Sequence, residues 1–160
     1  MKKHIRVAVS ILMLTVFLSV EFAIASEWEM APDFSLPDIN NNIVTLSSYK
    51  DKKPVLLFFW TTWCPYCRSE LRALNNKYPA LTKEGLEVLP INVGESRNRV
   101  KNFIQNYYLT YPVILDENME VAYNYGIPGV PAYILIDKKG KVVFEGSRFP
   151  EGRYKDLISK

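Results

Sequence analysis

The sequence predicts an α/β domain, one mixed sheet with helices on both faces and an N-terminal β-hairpin extension. Three observations carry this. Val55–Trp60 is a continuous apolar run of strand length, the pattern of a strand buried on both faces, and Leu86–Val93 reads as a second buried strand. Stretches with helical patterning separate the apolar runs, which is the βαβ arrangement of parallel strands. Ala132–Ile136 and Val142–Glu145 flank the turn Asp137-Lys138-Lys139-Gly140, a hairpin that adds antiparallel strands at the end.

The elements follow in order. Lys2, Lys3 and Arg6 make a basic start, Val7 to Val20 is apolar apart from Ser10, Thr15 and Ser19, and Ala23-Ile24-Ala25 supplies a small-x-small cleavage pattern. The apolar run, closed by Glu21, falls short of the roughly 20 residues a spanning helix needs. Residues 1–25 are therefore expected to be a signal peptide, with an uncleaved membrane anchor as the alternative, and residues 26–160 the domain. No cysteine near the Ala-x-Ala site is available for lipid attachment.

Phe34–Leu36 and Ile43–Thr45 read as two short strands around the turn residues Asp38 to Asn42, with a helical turn at Ser47–Lys50. A helix is expected from near Cys64 past Leu71 and Leu74, kinked or ended by Pro79, with Gly85 stopping any continuation. Ser96 is placed to cap a helix carrying Val100, Phe103 and Ile104. Pro112–Leu115 reads as a strand, Asn118–Tyr125 as a short helix ended by Gly126, and Glu151–Ser159 as the last helix. Tyr107, Tyr108, Tyr123 and Tyr125 are expected in core and turn packing rather than on a partner surface.

Composition excludes several kinds of chemistry. At 160 residues, 48% apolar and 23% charged, the chain has ordinary globular values and the length of one domain. Its formal net charge of +3 becomes nearly balanced once residues 1–25 are removed, and no basic cluster follows them, so a nucleic-acid partner is not expected. His4 is the only histidine and leaves with the signal. Without it neither a Ser-His-Asp nor a Cys-His mechanism can operate. Two cysteines alone do not complete a tetrahedral zinc site, so no metal and no cofactor is expected.

What remains is Cys64-Pro65-Tyr66-Cys67, where a buried strand gives way to a helix. A purely structural disulfide is the plain alternative, since exported proteins often carry one. Yet closing so short a loop stabilises by only about 2 kcal/mol, against about 3 for a 15-residue loop. A haem-attachment motif would need histidine where Arg68 stands. Redox chemistry fits the pattern. Unpaired N–H groups and the dipole at a helix start favour an anion, which makes Cys64 the thiolate nucleophile. If its pKa falls from about 8.5 to about 7, the thiolate fraction at pH 7 rises about 16-fold while intrinsic nucleophilicity falls about 5-fold. The net gain is about threefold. Cys67, one turn further on, can reach Cys64 and resolve a mixed disulfide.

The segment Phe59-Trp60-Thr61-Thr62-Trp63-Cys64-Pro65-Tyr66-Cys67 resembles the active site of thioredoxin-fold proteins. Ala31-Pro32-Asp33-Phe34, Tyr111-Pro112-Val113 and Gly129-Val130-Pro131 are similar to the TlpA/ResA/DsbE branch, over roughly residues 31–157. That branch comprises extracytoplasmic, often membrane-tethered thiol–disulfide oxidoreductases, many serving cytochrome c maturation. The resemblance implies a thioredoxin-like fold, protein dithiol or disulfide substrates, a membrane thiol-reducing donor, a monomer and an extracytoplasmic location. It also implies that Pro131 is the cis-proline facing the cysteine pair, with Pro128 trans, and that Glu70 tunes the thiols' protonation from beneath. An exposed helix glutamate is the alternative for Glu70. Phe58 occupies the place where thioredoxins carry a buried aspartate. Trp63, Pro65, Tyr66 and Val130 are expected to form the surface that receives a partner, and Trp60 to pack.

Pro65-Tyr66 is the dipeptide familiar from glutaredoxins, which are more oxidising than thioredoxin; the family resemblance nevertheless points to a reductant. Two other functions are compatible with parts of the sequence. A peroxiredoxin-like peroxidase would share the lead-in Ala31–Phe34 and Thr61 three residues before Cys64, but Leu57 stands where that family's proline is expected. A non-catalytic chaperone that holds partner thiols would use the same cysteines without turnover.

Overall fold

The computed structural model describes residues 30–159, so the expected leader, residues 1–25, lies outside the described part. Within it run β1 Ser35–Pro37, β2 Ile43–Thr45, a 3-10 turn Leu46–Tyr49, β3 Val55–Trp60, α1 Pro65–Lys83, β4 Glu87–Val93, α2 Arg97–Tyr107, β5 Ile114–Asp116, α3 Glu120–Asn124, β6 Ala132–Ile136, β7 Val142–Gly146 and α4 Glu151–Ile158. The main sheet has the order β5-β4-β3-β6-β7, and β1 and β2 pair with each other. β3, β4 and β5 are mutually parallel, while β6 is antiparallel to both its neighbours, β3 and β7, so the sheet is mixed as the sequence predicts. No helix among the described residues is long and apolar enough to cross a membrane.

Alternation along β3 supplies both halves of the core. Leu56, Phe58 and Trp60 meet Leu71, Leu74 and Leu81 of α1, Val100 and Phe103 of α2, and Tyr154 of α4. Val55, Leu57 and Phe59 face the other way, onto Phe34, Leu46, Val121, Ala122 and Tyr125. Each such buried side chain contributes roughly 1.5–3 kcal/mol. Pro90 is tolerated inside β4 because β5 pairs only with Ile91–Val93, beyond it.

Several boundaries differ from expectation for identifiable reasons. α1 continues through Pro79 to Lys83, because Leu81 beyond the proline is buried with Leu71 and Leu74, and that burial offsets the lost hydrogen bond. Ser96 is the N-cap of α2, but its hydroxyl makes no capping bond; the Arg97 N–H donates instead to Glu117 Oε1 at 3.2 Å. β5 begins at Ile114 rather than at Pro112, which has no N–H to give a ladder. α3 is shorter than expected because the buried Asp116 carboxylate captures the N–H groups of Val121 and Ala122, at 3.2 and 2.8 Å, and so defines its first turn.

The four tyrosines divide. Tyr125 is buried and donates to the Pro32 carbonyl at 2.7 Å, and Tyr107 stacks on Phe103. Tyr108 and Tyr123 are 83% and 85% exposed, against the expectation of packing. Tyr108 ends α2 in a left-handed conformation that turns it outward, and α3 is too short to bury more than Val121 and Ala122.

Asp38 ties the N-terminal hairpin to the sheet. Its carboxylate accepts from Asn40 N at 2.7 Å, Asn42 N at 2.8 Å and Asn42 Nδ2 at 2.9 Å, while Arg97 Nη1 donates to its carbonyl at 2.7 Å. Burial pushes its pKa up, but these hydrogen bonds and the Arg97 charge outweigh burial and leave it below the ordinary value. Asp38→Ala is expected to cost about 1–3 kcal/mol in urea unfolding at neutral pH. The ionisation-dependent part of that difference is complete above the unfolded carboxylate pKa of about 3.9 and is lost as the pH falls through the lower folded value. A gap that stays constant down to about pH 2 would contradict the assignment.

Candidate active site

β3 ends at Trp60, Thr61–Trp63 form the link, and Cys64 is the N-cap of α1, with Pro65 at the first helical position, where its missing N–H costs nothing. Cys64 and Cys67 are joined in a disulfide with their Cα atoms 5.3 Å apart. The Cys67 N–H donates to Cys64 Sγ at 3.1 Å, so the sulfur takes the place a capping oxygen would hold. The same sulfur lies 3.7 Å from the carbonyl oxygen of Val130, and the Val130–Pro131 bond is cis. Around a sulfur on a residue only 3% exposed, Trp63 and Tyr66 are 63% and 77% exposed, and Pro65 also faces solvent.

Two opposing effects act on these thiols in the reduced state. The helix N-terminus favours the thiolate of Cys64, whereas burial disfavours charge on either sulfur. Cys67 is fully buried in the apolar cluster under α1, so burial weighs more heavily on it. The order expected is Cys64 below Cys67.

Glu70 stands one turn beyond Cys67 and is half-buried rather than on the solvated face. Its Oε2 accepts a hydrogen bond from the Tyr133 hydroxyl at 2.7 Å. Tyr133 is wholly buried, stacks on Phe58 with ring centroids 4.5 Å apart, and meets Phe149 edge-on at 6.0 Å. Burial, and then the Glu70 carboxylate, push the Tyr133 hydroxyl far above its ordinary pKa, so it stays a donor. Glu70, Tyr66, Ser69, Pro131, Ser147 and Arg148 line one cavity of about 270 Å³. The fold thus brings together Cys64, Cys67, Val130 and Pro131, and puts Glu70 with Pro131 and Tyr66 on a neighbouring cavity.

Sequence reasoning missed four residues that shape this region: Tyr133, Thr62, Arg68 and Glu95. Tyr133 was within reach, since it lies two residues after Pro131 in the strand beside β3. Glu95 gave no signal, because nothing in a loop glutamate announces burial. The Thr61 hydroxyl is buried without a hydrogen-bond partner, and so makes no bond to Cys64 of the kind a peroxidase reading would use. Among the described residues no group of three or more His, Cys, Asp or Glu is arranged to hold a metal.

Residues 28–145 match the AhpC/TSA family. The chain belongs to that family. Within AhpC/TSA it is 41% identical over 112 residues to the thiol-disulfide oxidoreductase ResA of Geobacillus thermodenitrificans, covering 70% of this chain and 64% of that protein. Against ResA of Bacillus subtilis it is 40% identical over 118 residues, covering 74% of this chain and 65% of the relative. The match therefore spans just under two thirds of the length of these curated relatives. The thioredoxin domain of a thiol-disulfide oxidoreductase from Bacteroides vulgatus superposes with a TM-score of 0.70 at 27% identity, covering 84% of this chain and 97% of that one. StoA from Bacillus subtilis shares the fold, with a TM-score of 0.68 at 23% identity and coverage of 82% and 99%. The thioredoxin-like fold and the likeness to ResA read from the residues agree with these findings.

Alkylation of the reduced AhpC/TSA chain across pH, followed by peptide mapping, is expected to modify Cys64 first, with an apparent pKa below that of Cys67. Preferential labelling of Cys67 would reverse the assignment of nucleophile and resolving thiol.

Proposed function

We propose that the protein is an extracytoplasmic thiol–disulfide oxidoreductase that uses its Cys64/Cys67 dithiol to reduce disulfides in partner proteins, with cytochrome c maturation as the setting. One observation carries this reading: the disulfide straddles the start of α1, with Cys64 Sγ on the Cys67 N–H and beside the Val130 carbonyl. The likeness to the ResA thiol-disulfide oxidoreductases supports the exchange chemistry.

In the dithiol state the Cys64 thiolate attacks one sulfur of the partner disulfide. That S–S bond breaks, the partner's other sulfur leaves as a thiolate and takes a proton, and Cys64 becomes part of a mixed disulfide. The Cys67 thiolate then attacks Cys64 Sγ, closes the internal disulfide and releases the partner's second thiolate. Two electrons and two protons reach the partner. A thiol-reducing donor at the membrane regenerates the dithiol. The chain is exported through residues 1–25, either cleaved or kept as an anchor, and works as a monomer.

The surrounding residues take distinct roles. Val130 offers its backbone to an extended stretch of the partner beside Pro131, a mode with little demand on side-chain sequence. Trp63, Pro65 and Tyr66 form the exposed rim. Glu70, held by the Tyr133 hydroxyl, tunes the protonation of the pair.

Two experiments test this reading. The Cys67→Ser protein should accumulate mixed disulfides through Cys64 with apocytochromes or other exported thiol proteins, while Cys64→Ser should accumulate none and lose disulfide reduction altogether. Consumption of hydrogen peroxide without partner reduction would favour the peroxidase instead. Glu70→Gln and Tyr133→Phe should each shift the cysteine titration and slow exchange about two- to tenfold, the range one hydrogen bond covers. Combining them should add little beyond either alone, because both act through one contact. Additive effects or an unchanged titration would remove Glu70 from the site.

A further inference from the structure

Thr62 lies two residues before Cys64 in the link between β3 and α1, and each of its polar atoms is held by a charged side chain. Its N–H donates to Glu95 Oε2 and its hydroxyl to Glu95 Oε1, both at 2.6 Å. Its carbonyl accepts a fork from Arg68, Nε at 3.1 Å and Nη2 at 3.0 Å. Glu95 itself is only 6% exposed. Asn92 Nδ2 donates to Glu95 Oε2 at 2.8 Å, and Asn92 sits in β4 opposite Trp60 of β3. Arg99 Nε, on α2, lies 3.3 Å from Glu95 Oε1.

This is more than a strand-to-helix link requires. Such links are ordinarily closed by backbone and short polar side chains. Burying a carboxylate is costly and is offset only when its oxygens are well satisfied. Here the carboxylate is fully committed, and its partners lie on the sheet, on α2 and on the segment that presents Cys64. On the other side Arg68 ties the same threonine to the first turns of α1, next to Cys67.

We propose that Glu95 and Arg68 are positioning residues that act through Thr62, clamping the link so that Cys64 Sγ stays on the Cys67 N–H when the disulfide is reduced. The inference rests on the exchange chemistry proposed above and identifies what holds its nucleophile in place. Reduction removes the covalent tie between the two sulfurs, and the place of Cys64 then depends on its own backbone. None of the clamp contacts involves a cysteine sulfur, so cutting the S–S bond removes none of them. The clamp keeps the thiolate at the helix start, where the N–H groups favour it.

The direction of the effect separates positioning from charge. A nearby carboxylate acting through space disfavours a thiolate, so removing the Glu95 charge would then increase the thiolate fraction. A clamp predicts the opposite. Three variants are alkylated as folded, fully reduced proteins with no partner present. Thr62→Val keeps every charge and deletes only the hydroxyl bond. It is expected to lower the Cys64 thiolate fraction at pH 7 about two- to tenfold, the span set by weakening one hydrogen bond. Thr62→Ser should restore it to within about twofold of wild type. Glu95→Gln should move the titration in the same direction as Thr62→Val. An unchanged Cys64 titration in Thr62→Val, failure of serine to rescue, or a raised thiolate fraction in Glu95→Gln would overturn the proposal. Because no partner is present, these results stand apart from the oxidoreductase reading. That reading fails separately, if wild-type protein with normal Cys64 alkylation reduces no partner disulfide.

Discussion

A strand buried on both faces and paired along both edges cannot slide without dismantling the core on each side. β3 is such a strand: Leu56, Phe58 and Trp60 fill one core and Val55, Leu57 and Phe59 the other. A slip of one residue would exchange the two sets. The register that follows places the site. Phe59 pairs with Ala132 of antiparallel β6, so Val130 and Pro131, just before Ala132, run alongside the residues that leave β3 for Cys64. Trp60 pairs with Asn92 of parallel β4, so the loop after β4 delivers Glu95 to Thr62. The cysteines, the proline loop and the carboxylate clamp come from distant parts of the chain, and each is located by its distance from β3.

The parts legible in the sequence were those decided by local pattern. β3 and β6 were legible to the residue, because each is an apolar run of strand length with a proline before it and a polar residue after it. The helix start near Cys64 was legible because proline at a first helical position is a local signal. Pro79 left open whether α1 would end there or run on towards Gly85, because its local cost is legible while the burial of Leu81 that offsets it is tertiary. Ser96 stands at the cap position, but the Arg97 N–H beside it bonds instead to Glu117, twenty positions beyond Arg97 in the chain. Glu95 was illegible because its partner Thr62 lies on another element, and Tyr133 was within reach only through its place after Pro131, not through its bond to Glu70. Pattern reads what a residue does for its own element and is silent on what it does for another.

Glu70 and Glu95 show two ways in which the chain holds a carboxylate on the elements that carry the cysteine pair and its link. Phe58, at the position where thioredoxins carry an acid, stacks on Tyr133, so the space beneath β3 is aromatic. The carboxylate on this side is Glu70, and the Tyr133 hydroxyl that holds it is kept protonated by burial and by that carboxylate. A donor fixed in this way holds the carboxylate without contributing a charge of its own. Glu95 is handled differently, through one buried amide, both donors of Thr62 and the guanidinium of Arg99. One carboxylate borders a cavity and the other is sealed in the link, so under the proposed roles the first tunes protonation and the second holds geometry.

Under the proposed function, the exposure pattern also bears on what can reach the sulfur. Cys64 is 3% exposed, while Trp63 beside it and Tyr66 two residues on are 63% and 77% exposed. An aromatic side chain buries roughly 150–250 Å² when covered, which at about 25 cal/mol per Å² is worth several kcal/mol. A small disulfide can approach the recess but cannot cover both rings, and so gains little of that energy. A polypeptide laid along the Val130 backbone can cover a ring while its own disulfide is brought to Cys64. Binding energy gathered away from the reacting sulfurs then becomes available to orient them. Selection for protein disulfides over small ones therefore follows from a recessed nucleophile with an apolar rim, with no need for a pocket shaped to one partner side chain.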